Sequence, residues 1–416
     1  MMQNKFDIYV YAHWKGISDP ILIGMLSAHF AKGRKVFSFA YDNLWLKSQQ
    51  LHFLDPEIQL YSGVQFPNKK DNFGVFLDSM PDTWGRTLMK RRAAQLAKER
   101  NEKTPVLYEI DYLLGVYDGS RTGALRFKTD LEGPFLDDNN ETPTPPWSSI
   151  RELQHAAISF ENDEDNNEVS KWLNILMAPG SSLGGARPKA NILDEKNELW
   201  IAKFPSKNDT IDKGAWEFLA YQLATAAGVT MISCRKEKIA GNYHTFFTKR
   251  FDRDKEERIH FSSAMTMTGN NEDTIRDNPA SYLDIADFIQ TYGANVDENL
   301  SQLWRRIVFN IAISNTDDHL RNHGFILTDE GWILSPAYDL NPSIEKNGLA
   351  LNIDMDNNAL DFELAKSVGD FFRLDKKKME NIVDEVLKSV SQWEEKAEKI
   401  GISRAERDLM RGAFNY

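Results

Sequence analysis

Leu300, Leu303, Trp304, Ile307, Val308 and Ile311 recur at the three-and-four spacing of a helix with one buried face, and a polar run from Asn315 to Asn322 follows at once. That pattern predicts a rigid helix presenting a polar loop. Beyond the loop, residues 323–328 and 332–334 read as two strands turning around Asp329-Glu330-Gly331. Far upstream, residues 6–11, 21–26 and 35–41 are short β-rich runs split by glycine and aspartate, so residues 5 to about 48 are expected to be β-structure. Ser79-Met80-Pro81-Asp82 opens a helix whose apolar face begins at Trp84, Leu88 and Met89, with proline near the first turn and an acid at the positive end. A second helix near 106–116 ends at Gly115, and Asp118-Gly119-Ser120-Arg121-Thr122-Gly123 is turn chemistry. Residues 199–205 read as a strand, 215–226 as a helix and 244–253 as a strand running into a connector. Ser281-Tyr282-Leu283-Asp284 is a capping box with aspartate in the glutamate position, and Ile382, Val383, Val386, Leu387, Val390 and Trp393 describe a C-terminal core helix.

Composition narrows the picture. At 416 residues and 41% hydrophobic, the chain can fill two or three cores. Cys234 is the only cysteine, which excludes an internal disulfide and suits a reducing cytoplasm. The N-terminus lacks an apolar core of signal-peptide length, and no apolar run approaches a membrane span, so a soluble, cytoplasmic protein without membrane contact is expected. The net charge is −12, but residues 130–168 hold eleven Asp and Glu against the single base Arg151, and carry most of it. Residues 129–149, with Pro134, Pro143, Pro145 and Pro146, read as a surface connector, and 161–168 as a second solvated loop. Neither this acidic stretch nor the nearly neutral remainder offers a basic stripe for nucleic acid. The chain is not expected to bind DNA alone.

The chemistry-bearing residues lie in order along the second half. Asp317 and Asn322 have the Asp-x4-Asn spacing of a protein-kinase catalytic loop, and Asp339 in Tyr338-Asp339-Leu340 stands where a second metal-holding aspartate belongs. Phosphoryl transfer uses one carboxylate to take the proton of the attacking hydroxyl, and an amide oxygen with a second carboxylate to hold magnesium against the phosphates. The hairpin would bring Asn322 and Asp339 together. In Gly180-Ser181-Ser182-Leu183-Gly184-Gly185-Ala186-Arg187-Pro188-Lys189, small residues allow backbone N–H groups to approach a phosphate, although taken alone the segment reads first as a flexible glycine loop. No Walker pattern follows it. Lys203, in the apolar strand, is either an edge charge or a contact to the α- and β-phosphates, and Glu217 either solvated surface or its partner. Lys249 and Phe251 lie where backbone could meet an adenine edge.

Order and spelling together resemble the HipA-type serine/threonine kinases, toxins of bacterial toxin–antitoxin modules. The pieces that carry the resemblance are the loop from Ser182 to Lys189, Lys203-Phe204-Pro205, Arg250-Phe251-Asp252-Arg253, Asn315 to Asn322 and Tyr338-Asp339-Leu340, with Thr122-Gly123-Ala124-Leu125 in the N-terminal part. The resemblance implies an α+β, protein-kinase-like two-lobed fold with an N-terminal β-rich subdomain and a helical C-terminal lobe. The expected division is 1–128 for the N-terminal subdomain, 129–168 for the acidic connector, 169–255 for the nucleotide-binding lobe and 256–416 for the catalytic lobe. It implies ATP and Mg2+ as cofactors, Asp317 as the catalytic aspartate, Asn322 and Asp339 as magnesium ligands, and Lys203 as an ATP ligand. Ser182, Gly184, Gly185, Ala186, Arg187 and Lys189 form the phosphate loop, in which Ser182 is the autophosphorylated serine whose modification silences the kinase. His319 belongs to the pattern as a residue orienting the loop by hydrogen bonding. The implied partners are an antitoxin carrying the helix-turn-helix DNA reader, through which alone DNA is bound, and a protein substrate, expected to be a translation factor such as an aminoacyl-tRNA synthetase.

Asp318 is an extra acid, open between a turn cap and a catalytic role. Two other functions remain to be weighed. His319 and His323, four apart, could join Asp317, Asp318 and Asp339 in a metal-dependent hydrolase; alternatively, the chain is a kinase-fold binding protein with weak or lost catalysis.

Overall fold

From Ile8 onward every second side chain of β1 (Lys5–Ala12) is buried, the period-two signature of a strand with one covered face. β1 pairs antiparallel with β2 (Ile21–Ala31) and with β4 (Leu125–Lys128), and β2 with β3 (Arg34–Tyr41), in the order β3-β2-β1-β4. Gly24 of β2 is there because nothing larger fits: a Cβ would lie 2.3 Å from the Ala40 carbonyl oxygen. A computed structural model describes residues 5–31, 34–48, 51–68, 70–136, 144–162, 176 and 185–416. They fall into two units: Met1–Lys207 with Asp252–Ser262, and Asn208–Phe251 with Ser263–Tyr416.

In the first unit the sheet's buried face, including Ile23, Phe37, Phe39 and Phe127, meets Phe73 and Phe76. α1 (Thr83–Glu99) starts where expected, with the Asp82 carboxylate accepting from Gly85 N at 2.7 Å. α2 (Glu109–Leu114) ends on Gly115. The fully buried Arg121 satisfies the carbonyls of Ser79, Leu113 and Val116 and lays its guanidinium over the Phe127 ring. Residues 150–161, inside the stretch expected to be connector, instead form the helix α3 (Ile150–Glu161), which buries Ile150, Leu153, Ala156 and Ala157. β5 (Lys189–Leu193) and β6 (Leu199–Lys203) make an antiparallel hairpin.

The second unit begins with α4 (Lys213–Ala226) and the antiparallel pair β7 (Cys234–Glu237) and β8 (Thr245–Lys249). Then follow α5 (Tyr282–Tyr292), the buried α6 (Val296–Ala312) and the hairpin of β9 (Gly324–Thr328) and β10 (Gly331–Leu334), turning at Asp329 and Glu330 as expected. α6 packs against α5 and α7 (Lys376–Val390). The C-terminal helix is two pieces: α7 stops at Val390 and α8 (Trp393–Lys399) resumes with Trp393 buried. The chain's end closes α6, since Asn415 donates through N to Ala312 O at 2.8 Å and through Nδ2 to Ile311 O at 2.9 Å. Ala312 O is a carbonyl that the helix terminus leaves without a partner, whereas Ile311 O also accepts from Ser314 N at 3.2 Å. Among the described residues no helix is long and apolar enough to cross a membrane.

Candidate active site

α6 ends at Ala312, the backbone turns through Ser314 at φ +48°, and the loop closes in the 3-10 turn Leu320–Asn322. Asn322 Nδ2 donates to the Asp317 carbonyl at 3.0 Å, His319 N donates to the same oxygen at 3.0 Å, and Asn322 N to His319 O at 2.8 Å. One turn therefore holds Asp317 and Asn322 together. The Asp317 side chain is 77% exposed, with Lys346 Nζ 3.9 Å away. Tyr338 Oη donates to Arg321 O at 2.8 Å, which lays the segment of Asp339 beside that of Asn322. Asp339 has φ +59°, a left-handed backbone that aspartate tolerates better than most side chains, and its Oδ1 accepts from Asn341 Nδ2 at 3.3 Å. The ring of Phe251 lies 5.6 Å from that of Tyr338.

Asp318 points the opposite way from Asp317. It is 1% exposed, and its Oδ2 accepts from Tyr282 Oη at 2.6 Å, Asn310 Nδ2 at 2.7 Å and His323 Nε2 at 2.7 Å. Asn310 also accepts from Asn315 Nδ2 at 3.0 Å, and Asn315 Oδ1 accepts from Asn341 N at 3.4 Å. A continuous set of buried amides thus runs from α6 to the residue that touches Asp339. Burial draws Arg306 down to about 10, with Asp318 pulling it back up. The open question about Asp318 is settled toward structure: it anchors the loop from inside. His319 holds the loop through its backbone N–H and carbonyl, while its ring Nδ1 is buried with no partner among the described residues; the ring that holds Asp318 is that of His323.

The other expected residues divide by unit. Ser182 and Gly184 lie outside the described residues. Gly185 is exposed with φ +85°, its carbonyl accepting from Trp84 N at 3.3 Å; Ala186 is exposed and Arg187 half-buried. Lys189, expected at a phosphate, is buried: its Nζ lies 2.9 Å from Asp82 Oδ2 and 3.2 Å from Gly185 O, so it ties the loop's end to the start of α1. Burial pushes the Asp82 carboxyl up, with Lys189 opposing. Lys203 is half-buried on β6, opposite Lys189 in register. In the second unit, Glu217 is buried on α4 rather than solvated, and Lys249 ends β8 half-buried.

Residues 181–393 match the HipA-like C-terminal domain family. The chain belongs to that family. Comparison with curated protein sequences yields no match. Among solved structures, HipA of Shewanella oneidensis MR-1, described in complex with HipB and its operator DNA, matches with a TM-score of 0.67 and 17% identity over 98% of this chain and 94% of that one. The Helicobacter pylori proinflammatory kinase CtkA matches with a TM-score of 0.34 and 13% identity over 51% of this chain and 95% of that one. The fold shared with HipA is the kinase-like α+β arrangement expected, β-rich at the N-terminus and helical at the C-terminus.

For a chain of this family, the metal-dependent hydrolase reading has no donor set behind it. Among the described residues no three His, Cys, Asp or Glu side chains gather to hold a metal, and His323 and Asp318 are spent on each other. Asn310, Asn341 and Asn415 were not singled out from the sequence, and Asn315 figured there only as the start of the loop motif. Asn310 carried a signal, because it borders the apolar stripe of α6, where a polar residue must find a buried partner; Arg306 lies off that stripe, and its burial shows only in the fold.

Proposed function

We propose that the chain is an ATP-dependent serine/threonine protein kinase, the toxin of a toxin–antitoxin pair. The observation that carries this reading is the turn that pins Asn322 to the carbonyl of Asp317 while leaving the Asp317 carboxylate exposed, with Asp339 alongside. Asp317 takes the proton of a substrate hydroxyl. The amide oxygen of Asn322, without a partner among the described residues, and the Asp339 carboxylate are the hard oxygen donors that magnesium prefers, completed by phosphate and water. Bound magnesium would neutralise charge on the transferring phosphoryl group. Lys203 and the loop around Gly185 serve the nucleotide phosphates, and Ser182 is the chain's own acceptor. A phosphate there adds nearly two negative charges in a loop that must approach ATP, so its modification should weaken nucleotide binding. The HipA–HipB–operator complex of the Shewanella relative supports an antitoxin as partner and as the carrier of DNA binding.

Purified protein given magnesium and ATP tests the reading. Asp317→Ala should abolish phosphate transfer and leave ATP binding largely intact, whereas Asp339→Ala should lose magnesium-dependent nucleotide binding as well. Mass spectrometry should find phosphate on Ser182 of the unaltered protein and none in Asp317→Ala. Transfer at the unaltered rate by Asp317→Ala would remove Asp317 from its role.

A further inference from the structure

Away from the Asp317 loop, the second unit holds a lysine, a histidine and an aspartate in one line. His244 Nδ1 is 2.5 Å from Asp212 Oδ2, and His244 Nε2 is 3.1 Å from Lys236 Nζ. The same carboxylate also holds the His244 backbone, since His244 N donates to Asp212 Oδ1 at 2.9 Å. Asp212 is fixed in turn: Oδ1 caps α4 by accepting from Ala215 N at 3.1 Å, and its own N–H donates to Glu406 Oε2 at 3.1 Å. Gly214 makes this fit possible, since a Cβ there would lie 2.2 Å from the His244 carbonyl oxygen. With Nδ1–H committed to a carboxylate, Nε2 is the basic nitrogen, and it faces the lysine.

A nucleophile within hydrogen-bond reach of a base that a third group orients is the arrangement by which side chains are activated for covalent chemistry. We propose that Lys236 is a site of covalent acylation, with His244 as its base, Asp212 as the residue that positions His244, and an acyl phosphate or acyl thioester as the donor. His244 Nε2 takes a proton from the ammonium. The freed amine attacks the acyl carbon, the C–N bond forms, and the C–O or C–S bond breaks to release phosphate or thiol. The second amine proton leaves to solvent with the departing group. The imidazolium formed on the way is held by the Asp212 carboxylate. Burial also draws the Lys236 ammonium below its ordinary value against the pull of Asp212, which raises the share of free amine.

Capping of α4 alone would explain Asp212 but leaves the Lys236 contact without a role, and the two accounts separate by rate. The full chain is incubated with acetyl phosphate and, separately, with acetyl-CoA, and acetylation of each lysine is followed by mass spectrometry. Lys376, whose side chain is 87% exposed, is the internal reference. Exposure alone would make half-buried Lys236 the slower of the two; the proposal makes it faster by about a hundredfold, the low end of general base catalysis. His244→Gln should bring Lys236 to the reference rate. Asp212→Asn, which still caps a helix, should slow it about as much without lowering the melting temperature. Reaction with one donor only identifies that donor as the source. Acetylation of Lys236 no faster than Lys376 with both donors, or unchanged in His244→Gln, overturns the proposal, and neither result bears on phosphate transfer.

Discussion

Two adjacent aspartates show how far single residues can differ in what they do. Asp317 and Asp318 share a charge and a loop, yet one side chain is 77% exposed and the other 1%. Asp318→Ala would leave Tyr282 Oη, Asn310 Nδ2 and His323 Nε2 without their acceptor in a buried place, which costs about 3–5 kcal/mol. Asp317→Ala removes nothing that the fold uses except an exposed contact, and should stay within about 0.5 kcal/mol. Urea unfolding of both variants checks the contrast; equal losses would refute the anchoring role of Asp318. Spacing to Asn322 was enough to separate the two in the sequence. What spacing could not provide was the inward partner set, because Tyr282, Asn310 and His323 lie on different elements and meet only in the fold.

Elements were legible where the pattern was strong and local. α6 and the β9–β10 hairpin follow their periodicities closely. α3 was missed because prolines and acids on either side masked an apolar stripe on a helix of only 12 residues. α7 and α8 were read as one helix because Val390 and Trp393 keep the three-residue spacing across the break between them. Arg250-Phe251-Asp252-Arg253 was read as one strand and connector, but its parts serve different contacts. Asp252 Oδ2 accepts from Gly123 N at 2.8 Å, and Arg253 donates to the carbonyls of Gly123 and Arg121, so this stretch clasps the 118–123 turn. Glycine suits position 123, with φ +73° and a Cβ that would crowd His260 and Phe261 at 3.2 Å. Asp118 completes the clasp, accepting from Arg258 at 2.8 Å and Arg126 at 2.7 Å. Burial alone would raise its carboxyl, but Arg258, with Arg126 and Arg121, more than offsets that and holds it below the ordinary range. A carboxylate depressed by folding contributes stability above its unfolded value, near 4, and loses that contribution as pH falls through the lower folded value. The melting temperature should therefore drop more steeply below about pH 4 in the unaltered chain than in Asp118→Asn, which starts lower at neutral pH. Parallel acid limbs in the two proteins would show that the clasp does not depend on the Asp118 charge.

On the scale of the whole molecule, charge is the property that bears on partners. The acids of residues 130–168 carry most of the −12, and no unbroken cationic run exceeds the three charges of Lys90-Arg91-Arg92 on α1 or of Lys376-Lys377-Lys378 on α7. Each phosphate neutralised on duplex DNA contributes a slope of about −0.9 to log K against log salt, so three contacts give a slope of only about −3, against the 6–10 contacts of a protein that holds its operator at physiological salt. Either run is also too compact to span two half-sites. The lone chain should therefore show no measurable operator binding at physiological salt. A small basic partner carrying a helix-turn-helix should bring it to DNA, and the salt slope of that complex should be the partner's own, raised by at most about 3. Fluorescence anisotropy of a labelled operator across a salt series, with the chain alone and then with the partner, measures both quantities. Tight, sequence-specific binding by the chain alone would mean that its own surface reads DNA, and that charge concentrated in one acidic stretch says nothing about the face presented to the duplex.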